Sequence, residues 1–347
     1  MVVVVLVAVV AASQVNLDYY VLSPGDAQAV GPKIAVPRAL AHRTIGPILL
    51  TDVFVSRVTA LGYLFDHLSS GDQLVPASAV LGVGIPGSEL AAQGYLEMAQ
   101  AKAAAKTAAL RKLGYKVAES DRGAVIEAVT SSAPAFGKLA VGDVVTALDG
   151  TAVTTVCDLV VGLSSLMPGS MARLGVQQVH FARDGGEVAG RSVTVSVRLG
   201  EKPKGLAAAQ SGCPKDRPGG GFLGVAASTQ QDFTYPFRVT IDTGGIGGPS
   251  AGLALTLGLL DTLSAGELTG GARVAATGTI DPEGLVGDVG GVPQKTVAVE
   301  RAGANVFLVP KDEVTQARGK ATASLHVYGV TSLNEAIGVL KRLGGRL

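Results

Sequence analysis

A single serine, Ser250, stands between a glycine-rich turn and a long apolar run in the sequence DTGGIGGPSAGLALTLGLLD, residues 242–261. Pro249 precedes it, and proline suits the first turn of a helix because its missing N–H would have had no partner there. The serine is therefore predicted at the positive end of a buried helix, where free backbone N–H groups can stabilise an oxyanion. A nucleophile for acyl transfer and a structural helix cap both fit this position.

A candidate base for this serine is Lys295, in the stretch GGVPQKTVAVERAG. The pattern predicts a helix that continues to Ala302, with Lys295 in its first turn. A cation there faces the positive end of the helix dipole, and both this end and burial lower the pKa of a lysine. A neutral amine can accept the Ser250 proton without a histidine. The alternative is a solvated surface lysine.

The motifs around both residues resemble the Lon-type serine protease domain, whose catalytic pair is a serine and a lysine. The resemblance rests on GGPSAG, TGTIDPEGLVGDVGG and GGVPQKTVAVERAG, which follow one another in the family's order. It implies that Ser250 is the nucleophile and that Lys295 is the general base. It also implies that Thr277 helps to hold the lysine amine, and that backbone N–H groups around Ser250 and Gly248 meet the oxyanion.

The sequence departs from the family at Gly247, three residues before the serine. Many members of the family carry an aspartate at this position. The departure puts an acidic side-chain role at this point in doubt, and it leaves the Ser250–Lys295 pair untouched.

Several elements must position these residues, and the predicted fold class is α+β and multidomain. A β-rich region with a long connecting helix over 88–113, capped by Ser88, is expected within residues 21–114. A PDZ-like β-sandwich or barrel module is expected over 115–200. A Pro- and Gly-rich linker over 201–220 then leads to a Lon-type α/β protease domain over 221–347.

The PDZ resemblance rests on GAVIEAVTSSAPA followed by LAVGDVVTALDGTAV. Such domains bind an extended peptide tail between a sheet edge and a helix. The resemblance implies a groove between a strand around Gly114 to Val117 and a helix over 155–166. A module that only packs against or gates its neighbour is the alternative.

The cysteines and histidines do not form a metal-binding pattern. Cys157 falls in a predicted folded segment and Cys213 in the predicted linker, so the sequence favours two free thiols and leaves one disulfide as the alternative. The four histidines are scattered surface or core residues on this interpretation: His42, His67, His180 and His326. No cofactor or metal is expected.

The N-terminus begins with an apolar run, VVVVLVAVVAA, over residues 2–12. Residues 1–20 are predicted as a membrane anchor whose beginning is missing, or as a signal-like segment, although no basic residues precede the run. A buried valine-rich strand is the alternative.

Composition narrows the partners to proteins and peptides. The formal net charge of +1 and the absence of a basic run with aromatic residues argue against nucleic acid. The sequence contains no G-x-x-x-x-G-K-[ST] phosphate loop. Combined with the PDZ-like module and the apolar N-terminus, this architecture resembles membrane-anchored bacterial Lon-like proteases that work without ATP. The resemblance implies an extracytoplasmic catalytic part and a homo-oligomer such as a hexamer.

The sequence thus predicts an ATP-independent serine endopeptidase with a Ser250–Lys295 dyad and a peptide-binding PDZ module. Two alternatives remain open at this stage. One is a catalytically silent, membrane-anchored peptide-binding scaffold, and the other is a protease that processes itself.

Overall fold

The structure is a computed structural model that describes residues 2–66, 71–81, 84–182, 186–203, 212–214, 219–265 and 267–347. The helices are α1 (Val2–Gln14), α2 (Ala60–Asp66), α3 (Ala77–Leu81), α4 (Leu90–Lys112), α5 (Val156–Ser164), α6 (Gly252–Leu263), α7 (Val292–Arg301), α8 (Val314–Arg318) and α9 (Leu333–Arg342).

The strands range from two-residue pairs to long hairpin strands. They are β1 (Asn16–Ala29), β2 (Ile34–Ala35), β3 (Ile48–Thr59), β4 (Gln73–Pro76), β5 (Ala118–Val129), β6 (Val144–Leu148), β7 (Thr151–Ala152), β8 (Met171–Phe181), β9 (Glu187–Arg198), β10 (Gly200–Glu201), β11 (Gly221–Phe222), β12 (Val225–Thr234), β13 (Thr240–Ile241), β14 (Val274–Ala276), β15 (Thr279–Ile280), β16 (Val286–Gly287), β17 (Val306–Pro310) and β18 (His326–Val330).

The first sheet joins the two ends of the chain. Its strand order is β18-β17-β14-β3-β1-β4, with β14 parallel to both β3 and β17. The strands predicted within a separate N-terminal region therefore complete the sheet of the C-terminal region. The sequence did not indicate this, because the pairing of Leu50 with Ala276 joins residues far apart in the chain and leaves no local pattern.

The two faces of this sheet carry separate cores, as the two-residue period of a strand requires. Leu50 and Ala276 face the core that contains α4, α6 and α9, whereas Leu49 and Phe307 face the core that contains α7 and α8. Helix α6 has buried residues on all sides, as its uniformly apolar sequence predicts.

The long predicted helix over 88–113 is confirmed as α4, preceded by a 3₁₀ turn over Gly87–Glu89. The predicted Ser88 cap is wrong. The N-cap residue is Glu89, and its side chain does not cap the helix, since the chain enters α4 through the 3₁₀ turn.

The second sheet forms the PDZ-like module, in the order β12-β5-β6-β8-β9 with β7 paired to β6. Its core includes Leu159 and Leu163 of α5, which Thr155 begins with a capping box. The module extends beyond residue 200, because β12 follows the predicted linker and pairs with β5. The described parts of residues 201–220 therefore lie in a loop inside the module, and the C-terminal domain begins after β12.

The predicted groove strand around Gly114 to Val117 is also wrong. These residues form a turn and a loop before β5. The strand beside α5 is β12, and the Val156 N–H donates to the Thr229 hydroxyl at 3.1 Å.

Cys157 and Cys213 form a disulfide, with their Cα atoms 5.4 Å apart. The expectation of two free thiols is wrong, because Cys213, from the predicted linker, lies against Cys157 of α5. The bond closes a separation of 56 residues within the PDZ-like module.

Replacing both cysteines with serine is expected to destabilise this module by about 2–4 kcal/mol, because the loop is no longer closed in the unfolded chain. Thermal unfolding of the oxidised wild type and the Cys157→Ser/Cys213→Ser variant measures the loss. Equal midpoints would contradict a stabilising role.

The N-terminal segment is helical rather than a valine-rich strand, so that alternative is wrong. Helix α1 ends at Gln14, and residues 16–20 of the predicted 1–20 segment already belong to β1. Within the described residues, no helix combines the length and apolar character needed to cross a bilayer.

Candidate active site

Ser250 lies in a 3₁₀ turn over Pro249–Ala251 that leads directly into α6. Gly248 precedes this turn with a φ of 87°, in the region that favours glycine. The Ser250 carbonyl is held from the far side, since it accepts from the Gly278 N–H at 3.0 Å and from the Thr277 hydroxyl at 3.2 Å. The serine is half-buried and lines a cavity of about 770 Å³.

Thr277 stands where strand β14 ends. Its backbone N–H donates to Leu308 on β17 at 2.9 Å, which fixes it at the carboxyl edge of the parallel strands. Its side chain is fully buried. The supporting role of Thr277 stays a prediction; its hydroxyl donates to the Ser250 carbonyl and accepts from Lys295 Nζ at 3.2 Å.

Lys295 reaches the cavity from the first turns of α7. Gly291, in the left-handed region, begins this helix and accepts the Lys295 N–H at 2.9 Å. The lysine is 2% exposed, so the solvated alternative is wrong. Burial lowers its pKa from the usual 10.5 to about 8, against the opposing attraction of Glu313 and Asp52. About one Lys295 amine in ten is then neutral at pH 7.

Two carboxylates flank this lysine, and sequence reasoning missed both. Glu313 is 6% exposed, and its Oε1 accepts from the Val289 N–H at 2.8 Å. Asp52 lines the same cavity from β3, and its Oδ1 accepts from the Asp26 N–H at 2.7 Å. Burial raises the pKa of both carboxyls. The one signal for Asp52 was a charged residue inside the apolar run ILLTDVFV.

A bulge in β1 holds Asp52 in place. Pro24 pairs with Val53 and Ala27 pairs with Thr51, so two residues of β1 oppose Asp52 alone. The Asp26 N–H points at the carboxylate as a result. A side chain at Gly25 would collide with Asp52 Oδ1, which explains the glycine there.

The expected oxyanion donor Gly248 is already engaged inside the protein. Its N–H donates to the carbonyl of Gly94 on α4 at 2.7 Å. The structure therefore brings Ser250, Lys295 and Thr277 together, and it places the Gly248 N–H against α4.

The remaining polar candidates lie elsewhere. His42, His180 and His326 are exposed, and His67 lies outside the described residues. Across the described part of the chain, no cluster of His, Cys, Asp and Glu side chains has the arrangement of a metal site.

Removing the Thr277 hydroxyl is expected to lower kcat/KM ten- to hundredfold, the effect of losing a hydrogen bond of about 1.5–3 kcal/mol to a charged group. Thr277→Val keeps the side-chain shape, and hydrolysis of a fluorogenic peptide reports the loss. Thr296→Val is the matched control, because Thr296 is buried on α7 and bonds only its own helix, at Val292 O. Equal losses in both variants would contradict the specific role of Thr277.

Two family models match the chain. Residues 237–340 match the Lon protease (S16) C-terminal proteolytic domain, and residues 112–199 match the PDZ domain. The chain thus contains a PDZ domain and a serine-type peptidase domain of the Lon type, as the sequence resemblance implied.

Curated Lon proteases are similar to this chain over part of their length. The Lon protease of Malacoplasma penetrans is 42% identical over 78 residues, which cover 22% of this chain and 10% of that protein. The Lon protease of Chloroflexus aggregans is 33% identical over 92 residues, which cover 26% of this chain and 11% of that protein. The match therefore spans about a tenth of the length of these relatives.

Among solved structures, the PDZ domain of the SdrC-like protein from Listeria innocua is 17% identical. The match covers 30% of this chain and 92% of that one, with a TM-score of 0.22.

Proposed function

We propose that this protein is an ATP-independent serine endopeptidase that uses a Ser250–Lys295 dyad. The observation that carries the proposal is the buried Lys295 amine, whose pKa is lowered to about 8 and which contacts the threonine that also holds Ser250. A neutral amine in a shared cavity with a serine is a suitable general base.

The proposed reaction is acyl transfer in two stages. Lys295 takes the Ser250 proton as Oγ bonds to the peptide carbonyl carbon, and the carbonyl oxygen becomes an oxyanion. Lys295 then returns the proton to the departing amine as the C–N bond breaks. A water molecule, deprotonated by the same amine, attacks the resulting ester and releases the carboxylic acid and the Ser250 hydroxyl.

Independence from ATP is proposed because the chain contains no phosphate-loop motif. Proteolysis by this domain would then need no nucleotide, and the substrate class would be unfolded proteins or flexible tails that enter the cavity unaided.

The proposed role of the PDZ domain is to bind a substrate or regulatory peptide. Strand β12 is at one end of its sheet and lies beside α5. A peptide added there gains main-chain hydrogen bonds from β12 and side-chain contacts from the helix.

We also propose that the protein works in an oxidising compartment outside the cytoplasm. The Cys157–Cys213 bond supports this location, because disulfides persist in such compartments and are rare in the cytosol.

Casein degradation without nucleotide tests the proposed activity. Purified wild type should convert casein to peptides at a rate that added ATP does not change, and Ser250→Ala should reduce cleavage to background with the same circular dichroism spectrum. Cleavage retained by Ser250→Ala would overturn the proposal.

A further inference from the structure

The first turns of α4 contact the loop that precedes Ser250. The Gly248 N–H donates to the Gly94 carbonyl at 2.7 Å, and the backbone of Gly247 also lies close to that of Gly94. A Cβ atom placed on Gly247 would lie 3.1 Å from the carbonyl carbon of Gly94 and 3.2 Å from its Cα. A Cβ atom at Gly247 therefore requires the Gly94 backbone to move by a few tenths of an ångström, and the missing acid at this position allows the close approach.

The same turns of α4 are held on their other side by the PDZ domain. The Gln93 side-chain amide donates to the Glu127 carbonyl at 3.2 Å, and the Val129 N–H donates to Glu89 Oε2 at 3.3 Å. Leu96 packs in one apolar cluster with Val125 and neighbouring residues of the domain. Residues 89–96 thus bridge β5 and the loop before Ser250.

We propose that Gly94 is a positioning residue for the oxyanion site and that the PDZ domain controls it through Glu89 and Gln93. While β5 holds the first turns of α4, the Gly94 carbonyl accepts a hydrogen bond from the Gly248 N–H. Withdrawal of α4 frees that N–H for the developing oxyanion, and one such donor contributes about 10²- to 10³-fold to kcat in serine proteases.

The same movement opens the catalytic cavity. Its wall includes Leu90 and Ala91 from the bridging residues 89–96, and Gly87, Ser88 and Met98 directly beside them. A peptide that shifts the PDZ domain would then release the donor and widen the cleft together. This inference rests on the proposed acyl-transfer function.

The test measures how fast a fluorophosphonate labels Ser250 in full-length variants. Glu89→Ala and Gln93→Ala each remove one hydrogen bond to the PDZ domain. Gly247→Ala crowds the Gly94 backbone by a few tenths of an ångström without requiring a positive φ, since Gly247 is absent from the positive-φ glycines. Each is expected to label at least fivefold faster than wild type. Gln100→Ala, on a later turn of α4, is the control and should label at the wild-type rate.

Rates at or below the wild-type value in folded variants would overturn the coupling while leaving the proposed function intact. A wild type and variants that never label would overturn both. Should a variant fail to fold, hydrogen exchange of the wild type decides: adduct formation at Ser250 should speed amide exchange over residues 90–96, and unchanged exchange there would overturn the coupling.

Discussion

Replacing Lys295 with methionine is expected to abolish peptide hydrolysis and, at pH 7, to raise the free energy of unfolding. Methionine keeps the length of the side chain and removes its charge. Burial lowers the Lys295 pKa from 10.5 to about 8, so holding the charged lysine in the folded state at pH 7 costs on the order of 3 kcal/mol. The expected gain in the variant is somewhat smaller, about 1–3 kcal/mol, because Glu313 loses a favourable neighbour.

The stability gained by Lys295→Met should depend on pH in a direction that follows from the lysine pKa. Between about 8 and 10.5 the unfolded chain binds the lysine proton more strongly than the folded chain, so wild-type stability rises with pH in this window. Below a pH of about 8 the full free-energy cost of burying the charged lysine is present, and near pH 10.5 this cost vanishes. The advantage of Lys295→Met should therefore be largest at pH 7 and shrink as the pH approaches 10.5.

Urea unfolding of both proteins across this pH range measures the difference. Lys341→Met is a suitable control, since Lys341 is exposed at the end of α9 and should alter neither activity nor the pH dependence of stability. A Lys295→Met protein that is less stable than wild type at pH 7 would contradict the account of a desolvated base.

The second large effect is expected in the pH dependence of kcat/KM. Only the neutral amine accepts the Ser250 proton, so the rate should rise about tenfold per pH unit up to a pH of about 8 and then level off. At pH 6 the enzyme should run at about a hundredth of its plateau rate, as the neutral fraction requires. Stopped assays with one fluorogenic peptide from pH 5.5 to 10 give the profile.

The flanking carboxylates supply an independent check on that profile. Glu313 and Asp52 both raise the Lys295 pKa, and Glu313 has the larger effect. Glu313→Gln should therefore shift the rising limb to lower pH, Asp52→Asn should shift it less, and both should be faster than wild type at pH 6. A rate that climbs steadily to pH 10, or a Glu313→Gln limb displaced to higher pH, would rule out Lys295 as the titrating base.

The candidate catalytic residues were predictable because each lies in a short motif at the start of a helix. Ser250 follows a glycine turn at a helix start, and Lys295 follows Gly291 in the same way. Taken alone, each motif left an alternative open, a helix cap for Ser250 and a solvated lysine for Lys295, and the order of the three motifs favoured the dyad. Their burial and mutual contacts through Thr277 then came from packing.

Features built from distant segments were not predictable. Strand β12 pairs with β5 although about a hundred residues of sequence separate them, and the disulfide joins Cys157 to Cys213, 56 residues away. Asp52 reaches the site because β3 and β14 pair in parallel, which no local pattern encodes. The contact of Gly94 with Gly248 likewise needs α4 and α6 to pack together, and so the engaged oxyanion donor was missed.

The proposed Ser250–Lys295 dyad is tested most directly by the mass of the intact protein after exposure to a fluorophosphonate at pH 8. We expect one adduct per wild-type chain, mapped to Ser250, at a rate that falls about fivefold when the pH is lowered to 7, because the neutral fraction of Lys295 falls from about one half to about one in ten. Ser250→Ala and Lys295→Met should gain no adduct. Labelling of Lys295→Met at the wild-type rate, or an adduct on a residue other than Ser250, would contradict it.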